Sequence, residues 1–169
     1  MSADPLILTL GFDDAAFARL DALRRAHFPP ERNQIPAHLT LFHALPGDAL
    51  EEVLAGLRTA CAATAPFDLR FTGLRSLGRG VALEVDAPPL VALRKALAYA
   101  WARRLTRQDA QGFRPHVTVQ NKVTAEAAAA LLAELGAGFE PWEARGEGLL
   151  LWHYRGGPWE AAASISFTG

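Results

Sequence analysis

Two hydrophobic periods alternate along the chain. Short runs such as Leu6–Leu10 and Val81–Val85 are apolar without a helical stripe and predict buried strands. Between such runs the apolar positions move to helical spacing. Leu50, Val53, Leu54, Leu57 and Cys61 mark one stripe, with Asp48 and Glu51 resembling a capping box ahead of it. Leu90, Leu93, Leu97 and Trp101 mark another, opened by Pro88 and Pro89, where proline is tolerated. Ala128, Leu131, Leu132 and Leu135 mark a third, started by Thr124 and stopped by Gly136.

The order of these elements predicts a repeat. The first unit reads strand (Leu6–Leu10), helix (about Asp14–His27), strand (His38–Ala44), helix (Asp48–Ala63), strand (Phe67–Leu77). The second reads strand (Val81–Val85), helix (about Leu90–Arg104), strand (His116–Asn121), helix (Thr124–Leu135), strand (about Glu147–His153). A last strand, Ala163–Phe167, follows. A shift of 78 positions carries His38 to His116, Leu6 to Glu84, Asp48 to Glu126 and Phe67 to Arg145. With no linker in between, residues 1–169 read as one domain of two pseudo-symmetric units, about 5–77 and 80–167. Similar units pack about an approximate twofold axis, which sets equivalent positions face to face.

Composition narrows the function. The 169 residues are half apolar, enough for a globular core. No apolar run reaches the roughly 18–20 residues of a membrane span. Met1–Leu10 has no basic n-region and contains Asp4, unlike a secretory signal. A single cysteine, Cys61, excludes an internal disulfide and a cysteine metal cluster, and a cytoplasmic address is expected. A net charge of −1 argues against a broad grip on duplex nucleic acid but leaves room for a site for one phosphate or a strand end. Arg24, Arg25, Arg103 and Arg104 are expected to solvate helix surfaces, and no obligate protein partner is evident.

The candidate chemistry lies in two matching tetrapeptides, His38-Leu39-Thr40-Leu41 and His116-Val117-Thr118-Val119, preceded by Pro36 and Pro115. On a strand, alternate residues share a face. Each segment therefore offers an imidazole and a hydroxyl to one side and anchors itself in the core by the other. One such pair is more often structural than catalytic; two copies in the register of a repeat reverse that preference. Two imidazoles suit transfer at phosphorus. One, neutral, takes a proton from the attacking oxygen, and the other, protonated, gives one to the leaving oxygen. Histidine fits because its pKa near 6.5 lets both forms coexist. Threonine hydroxyls can donate to the non-bridging oxygens, where charge builds. Two histidines without neighbouring acidic or thiol ligands make a poor closed zinc site, and no cofactor is expected.

The paired His-x-Thr-x motifs, about eighty residues apart in a repeat spanning nearly the whole chain, resemble those of the 2H phosphoesterase superfamily, which includes the 2′-5′ RNA ligase and RNA cyclic phosphodiesterase family. The resemblance implies an α+β, bilobal duplicated fold: two antiparallel sheets, helices on their outer faces and a central groove. It implies metal-independent action on a 2′,3′-cyclic phosphate or 2′-5′ linkage of an RNA end or nucleotide. His38 and His116 are then catalytic, with Thr40 and Thr118 on the phosphate. Further substrate-binding candidates are His43 and Asn121, equivalent under the same shift, and Arg114 and Lys122 beside the second motif. Lys122 is the nearest match to a basic residue common after that motif in the family. Arg155 or His153, in the alternating Trp152–Arg155 segment, is expected at the groove; the Gly-Gly-Pro-Trp that follows resembles the ending of smaller family members. Phe42 or Trp152 could stack a base, although core packing is the commoner use of a strand aromatic. Hydrolysis is the leading reading. RNA ligation, which replaces water by an alcohol, and non-catalytic binding of a nucleotide or RNA end are the alternatives.

Overall fold

The apolar runs become strands and the helical stripes become helices. The computed structural model describes residues 3–169; Met1 and Ser2, the start of the segment read above for a secretory signal, lie outside them. The order is β1 (Leu6–Phe12), α1 (Asp14–His27), β2 (Thr40–Leu45), α2 (Leu50–Ala62), β3 (Phe67–Ser76), β4 (Val81–Asp86), α3 (Pro88–Ala100), β5 (His116–Gln120), α4 (Ala125–Gly138), β6 (Trp142–His153) and β7 (Glu160–Ser166). Asp13 caps α1 by accepting from the Ala16 N–H at 3.2 Å, and Thr124 caps α4 from Ala127 at 3.1 Å.

Three local expectations fail for backbone reasons. Asp48 caps nothing: Gly47–Ala49 forms a tight 3-10 turn and Ala49 stands at the cap position of α2. Gly136 does not stop α4, which continues to Gly138. The strand expected from His38 starts at Thr40, although the Leu39 carbonyl still accepts from Leu10 N–H at 3.0 Å.

The expectation of two sheets is corrected: the described residues form one continuous antiparallel sheet of seven strands, ordered β2-β1-β6-β3-β4-β5, with β7 added to β6. The join is the pairing of Phe67–Phe71 in β3 with Trp142–Gly146 in β6. Beyond it the strands diverge, β3 to β4 and β6 to β1 and β7. The order is unchanged when β1, β2 and β3 are exchanged for β4, β5 and β6. The constant shift of 78 does not hold across this exchange. Thr9 lies opposite Thr40, but Ala82 rather than Ala87 lies opposite Thr118, because the segment joining β4 to β5 is longer than that joining β1 to β2.

The α+β core fills the space between sheet and helices. Leu8, Phe42, Phe71, Leu83, Val117 and Leu149 from the sheet meet Leu20 of α1, Leu57 of α2 and Leu90 of α3. Each such fully buried side chain is worth about 1.5–3 kcal/mol. Phe42 is wholly buried, its ring 5.4 Å from that of Trp101, so it is core and not a base-stacking surface. Among the described residues, no helix is long and apolar enough to cross a membrane.

Candidate active site

The two motif strands are the two ends of the sheet order, β2 and β5, yet their polar faces meet. Burial alternates as strand geometry requires. Ala37, Leu39 and Leu41 are buried while His38 and Thr40 are half-buried; Pro115, Val117 and Val119 are buried while His116 and Thr118 are half-buried. His38, Thr40, His116 and Thr118 line one cavity of about 180 Å³, joined by His43, Ile7 and Trp159.

Both motif imidazoles are oriented alike. His38 Nδ1 lies 2.9 Å from the Pro36 carbonyl and His116 Nδ1 lies 3.0 Å from the Arg114 carbonyl, each two residues upstream. A carbonyl can only accept, so Nδ1 carries the proton and Nε2 is left for proton exchange. Burial drives His38 down from its ordinary 6.5 to about 4; the Pro36 bond opposes this and the Arg24 charge reinforces it. His116 is also lowered by burial, but the Arg114 carbonyl and the Glu84 carboxylate both favour its proton, against Arg75. Glu84 is the cross-strand partner of His116. The ring of Trp159 closes the His38 side at 4.6 Å.

Behind this cavity the helices grip the motif strands crosswise. Arg24 of α1 donates to the Thr118 carbonyl at 3.2 Å and to Asn33 Oδ1 at 2.8 Å. Arg94 of α3 donates to the Leu41 carbonyl at 3.1 Å and to the Asp109 carbonyl at 2.6 Å. The expectation that Arg24 is solvated fails: it is 4% exposed, its guanidinium stacked over Phe28, because on this face of α1 its partner is β5 rather than water. Arg25, Arg103 and Arg104 are exposed as expected.

Asp109 is wholly buried and, beside Arg94, holds β2. Its Oδ1 accepts from the His43 N–H at 2.8 Å and lies 3.2 Å from His43 Nδ1; its Oδ2 accepts from the Ala44 N–H at 2.9 Å. Burial alone would raise this carboxyl, but the bonds from the His43 side chain, the His43 backbone and Ala44 outweigh it and hold Asp109 below the ordinary range.

Some candidates fall outside the cavity. Arg114 is exposed and pairs with Glu84 at 2.7 Å. Arg155 pairs with Glu160 at 2.9 Å and Asp4 at 3.7 Å on the surface, and lines none of the cavities around the motifs. Asn121 accepts from the Lys122 N–H at 2.9 Å, which leaves its amide turned to its own backbone, and His153 is likewise absent from the lining. Lys122 lies in a neighbouring groove of about 560 Å³ with Arg32, Gln34 and Tyr154. Among the described residues it is the one non-glycine with a left-handed backbone, φ 62°, a conformation costing about 1–2 kcal/mol. Trp152 lines a third, largely apolar groove of about 410 Å³ with Leu10, Phe17 and Ile35 and donates to Thr9 Oγ1 at 2.9 Å. Trp159 borders all three spaces.

Asp109, Trp159 and Arg24 are the site residues that sequence reasoning missed. Asp109 sits in the irregular stretch seven residues before His116, but it serves the other motif strand, β2, and carries no local signal of that. Trp159 ends the Gly-Gly-Pro-Trp segment, which marked the place but not the role. Among the described residues no three His, Cys, Asp or Glu side chains are arranged to hold a metal ion.

No curated protein matches the chain in sequence. Among solved structures, TT0787 of Thermus thermophilus superposes with a TM-score of 0.70 at 18% identity, covering 98% of both chains. Escherichia coli LigT complexed with 3′-AMP gives 0.63 at 20% identity, over 98% of this chain and 99% of that one. Usb1 of Kluyveromyces marxianus gives 0.53 at 13%, over 98% of each. These likenesses place the fold. The family model of the 2′-5′ RNA ligase superfamily matches residues 12–158, a span that contains both His-x-Thr strands and the helices that grip them. With that match, the chain belongs to the 2′-5′ RNA ligase superfamily, the 2H phosphoesterases.

Proposed function

We propose that the protein is a phosphoesterase that hydrolyses a 2′,3′-cyclic phosphate, or a 2′-5′ phosphodiester, of an RNA end or nucleotide. The observation that carries this reading is the convergence of two imidazoles, each with Nδ1 tied to a carbonyl and Nε2 free, and two threonines on one small cavity.

His38 acts as base, because burial and the Arg24 charge keep it neutral, and His116 acts as acid, because Glu84 favours its proton. Nε2 of His38 takes a proton from water as the water oxygen bonds to phosphorus. The bond from phosphorus to the ribose oxygen breaks, and His116 gives its Nε2 proton to that oxygen. One water is consumed and a phosphate monoester results. Thr40 and Thr118 donate hydrogen bonds to the non-bridging oxygens, which gain charge in the transition state. The two imidazoles supply both proton transfers, so the scheme requires no metal.

The flanking grooves support a nucleotide substrate of defined direction. The apolar groove has Asp14 and Glu147 at its border and, apart from His38, no basic residue in its lining, which suits an uncharged nucleoside. The groove with Arg32 and Lys122 suits further phosphates; neither cation pairs with a carboxylate among the described residues. Escherichia coli LigT, which shares the fold, has been solved in complex with 3′-AMP, ATP and NADP+, ligands of this class.

The test is a screen of 2′,3′-cyclic nucleotides and 2′-5′-linked oligonucleotides, with and without EDTA, identifying the product as a 2′- or 3′-phosphate. Turnover that survives chelation supports the reading. Tight binding without product would reduce the protein to a binding module, and joined product from a 5′-hydroxyl strand would make it a ligase.

A further inference from the structure

The site holds a third histidine that the paired scheme does not use. His43 lines the same cavity as His38 and His116, half-exposed toward it, and its Nδ1 lies 3.2 Å from the Asp109 carboxylate. A carboxylate accepts, so Nδ1 carries the proton and Nε2 is the free nitrogen. Asp109 itself cannot swing: both of its oxygens are bonded to β2 backbone N–H groups, its carbonyl accepts from Arg94, and its N–H donates to Thr106 Oγ1 at 3.3 Å. The three imidazoles therefore differ in what holds them. Two rest on neutral carbonyls, and His43 alone rests on a buried anion.

That difference matters because the cavity lining contains no lysine or arginine. An anionic phosphate seated there needs a positive donor whose proton is not spent in the reaction. His38 and His116 exchange theirs during turnover. When protonated, an imidazole held through Nδ1–H by a carboxylate has Nε2–H left to donate into the cavity.

We propose that His43 is a phosphate-binding residue of this site, presenting Nε2–H to a non-bridging oxygen, and that Asp109 is its positioning residue. The proposal rests on the reading of the site as a phosphoryl-transfer centre. The charged and titratable groups facing His43 are Asp109 behind it and His38 and His116 across the cavity. Because His43 binds and does not exchange a proton with the reacting oxygens, its loss weakens binding more than the chemical step.

The experiment titrates inorganic phosphate into the wild type, His43→Ala and Asp109→Asn by calorimetry, and measures kcat and KM on a 2′,3′-cyclic nucleotide. His43→Ala raises the phosphate Kd and the KM about tenfold or more, the value of one charge-assisted hydrogen bond, with a smaller change in kcat. Asp109→Asn weakens phosphate binding in the same direction and releases the fixed Nδ1–H tautomer of His43, read by its nitrogen-15 shifts. Since Asp109→Asn also loosens β2, the His43→Ala variant decides alone if the other does not fold. A folded His43→Ala protein whose phosphate Kd stays within about twofold of wild type overturns the proposal. If His38→Ala and His116→Ala keep their turnover, the hydrolytic reading fails instead, and the phosphate titration of His43→Ala still reads the binding claim.

Discussion

Arg24 places its guanidinium against the carbonyl of Thr118, 3.2 Å away, and so ties the first helix of the chain to the strand that carries the second histidine. The same cation stands close enough to His38 to depress its pKa. One side chain thereby links the geometry of one motif to the electrostatics of the other.

Replacing Arg24 by Ala removes the bonds to Asn33 and Thr118 and the stacking over Phe28. A loss of about 2–3 kcal/mol of stability follows, measurable by denaturant unfolding. Removing the positive charge raises the His38 pKa, so the acid limb of kcat/KM moves to higher pH. An acid limb that stays in place would show that Arg24 acts on the fold alone.

The pH profile of the free enzyme follows from the two histidines. Activity rises with pH as His38 loses its proton at about 4, and falls as His116 loses its own below its ordinary 6.5. The kcat/KM optimum therefore lies on the acid side of neutrality. A bound anionic phosphate favours both protons and moves the kcat profile to higher pH. His38→Ala and His116→Ala each cost about 10²–10⁴ in kcat, and the double variant costs little more than either, because the two act as a unit.

Stability carries the same imprint. His38 binds a proton less readily folded than unfolded, so the unfolded chain gains protons first as pH falls below 6.5. Stability drops through the window from 6.5 to about 4, by roughly 3 kcal/mol from this residue, and is fully present above it. Asp109 adds stability above its ordinary pKa that is lost at more acid pH, as its lowered carboxyl takes up a proton. Chemical denaturation at pH 4 and pH 7 measures the difference, which His38→Gln should reduce.

The grooves predict a split between substrates. Arg32→Ala with Lys122→Ala raises KM for an oligonucleotide end more than for a cyclic mononucleotide, and lowers the salt dependence of the former. Equal effects on both substrates would remove the charged groove from recognition.

Every strand and helix that the hydrophobic pattern predicts exists, because each carries its own period, and α1 and α4 carry a side-chain cap as well. The motif residues are legible for the same reason: alternation on a strand fixes which side chains share a face, and His38 with Thr40 obeys it as His116 with Thr118 does. What cannot be read is contact across the chain. Asp109 and His43 are brought together only by closure of the fold, and Arg24 is buried because β5 packs on its helix face. Flanking position misleads for Arg114 and Arg155, whose nearest carboxylates hold them at the surface. The join of β3 to β6 is invisible because each strand, read alone, serves either one sheet or two.

The motif strands end the sheet order, and ends of sheets are where foreign strands add. Here side chains occupy those positions. Arg94 takes the Leu41 carbonyl and Asp109 the His43 and Ala44 N–H groups of β2, while Arg24 takes the Thr118 carbonyl of β5. The groups that frame the cavity between the motifs thus also guard the chain against pairing with its own kind. A variant that frees them exposes strand edges to other molecules, and its first symptom is self-association rather than slow turnover.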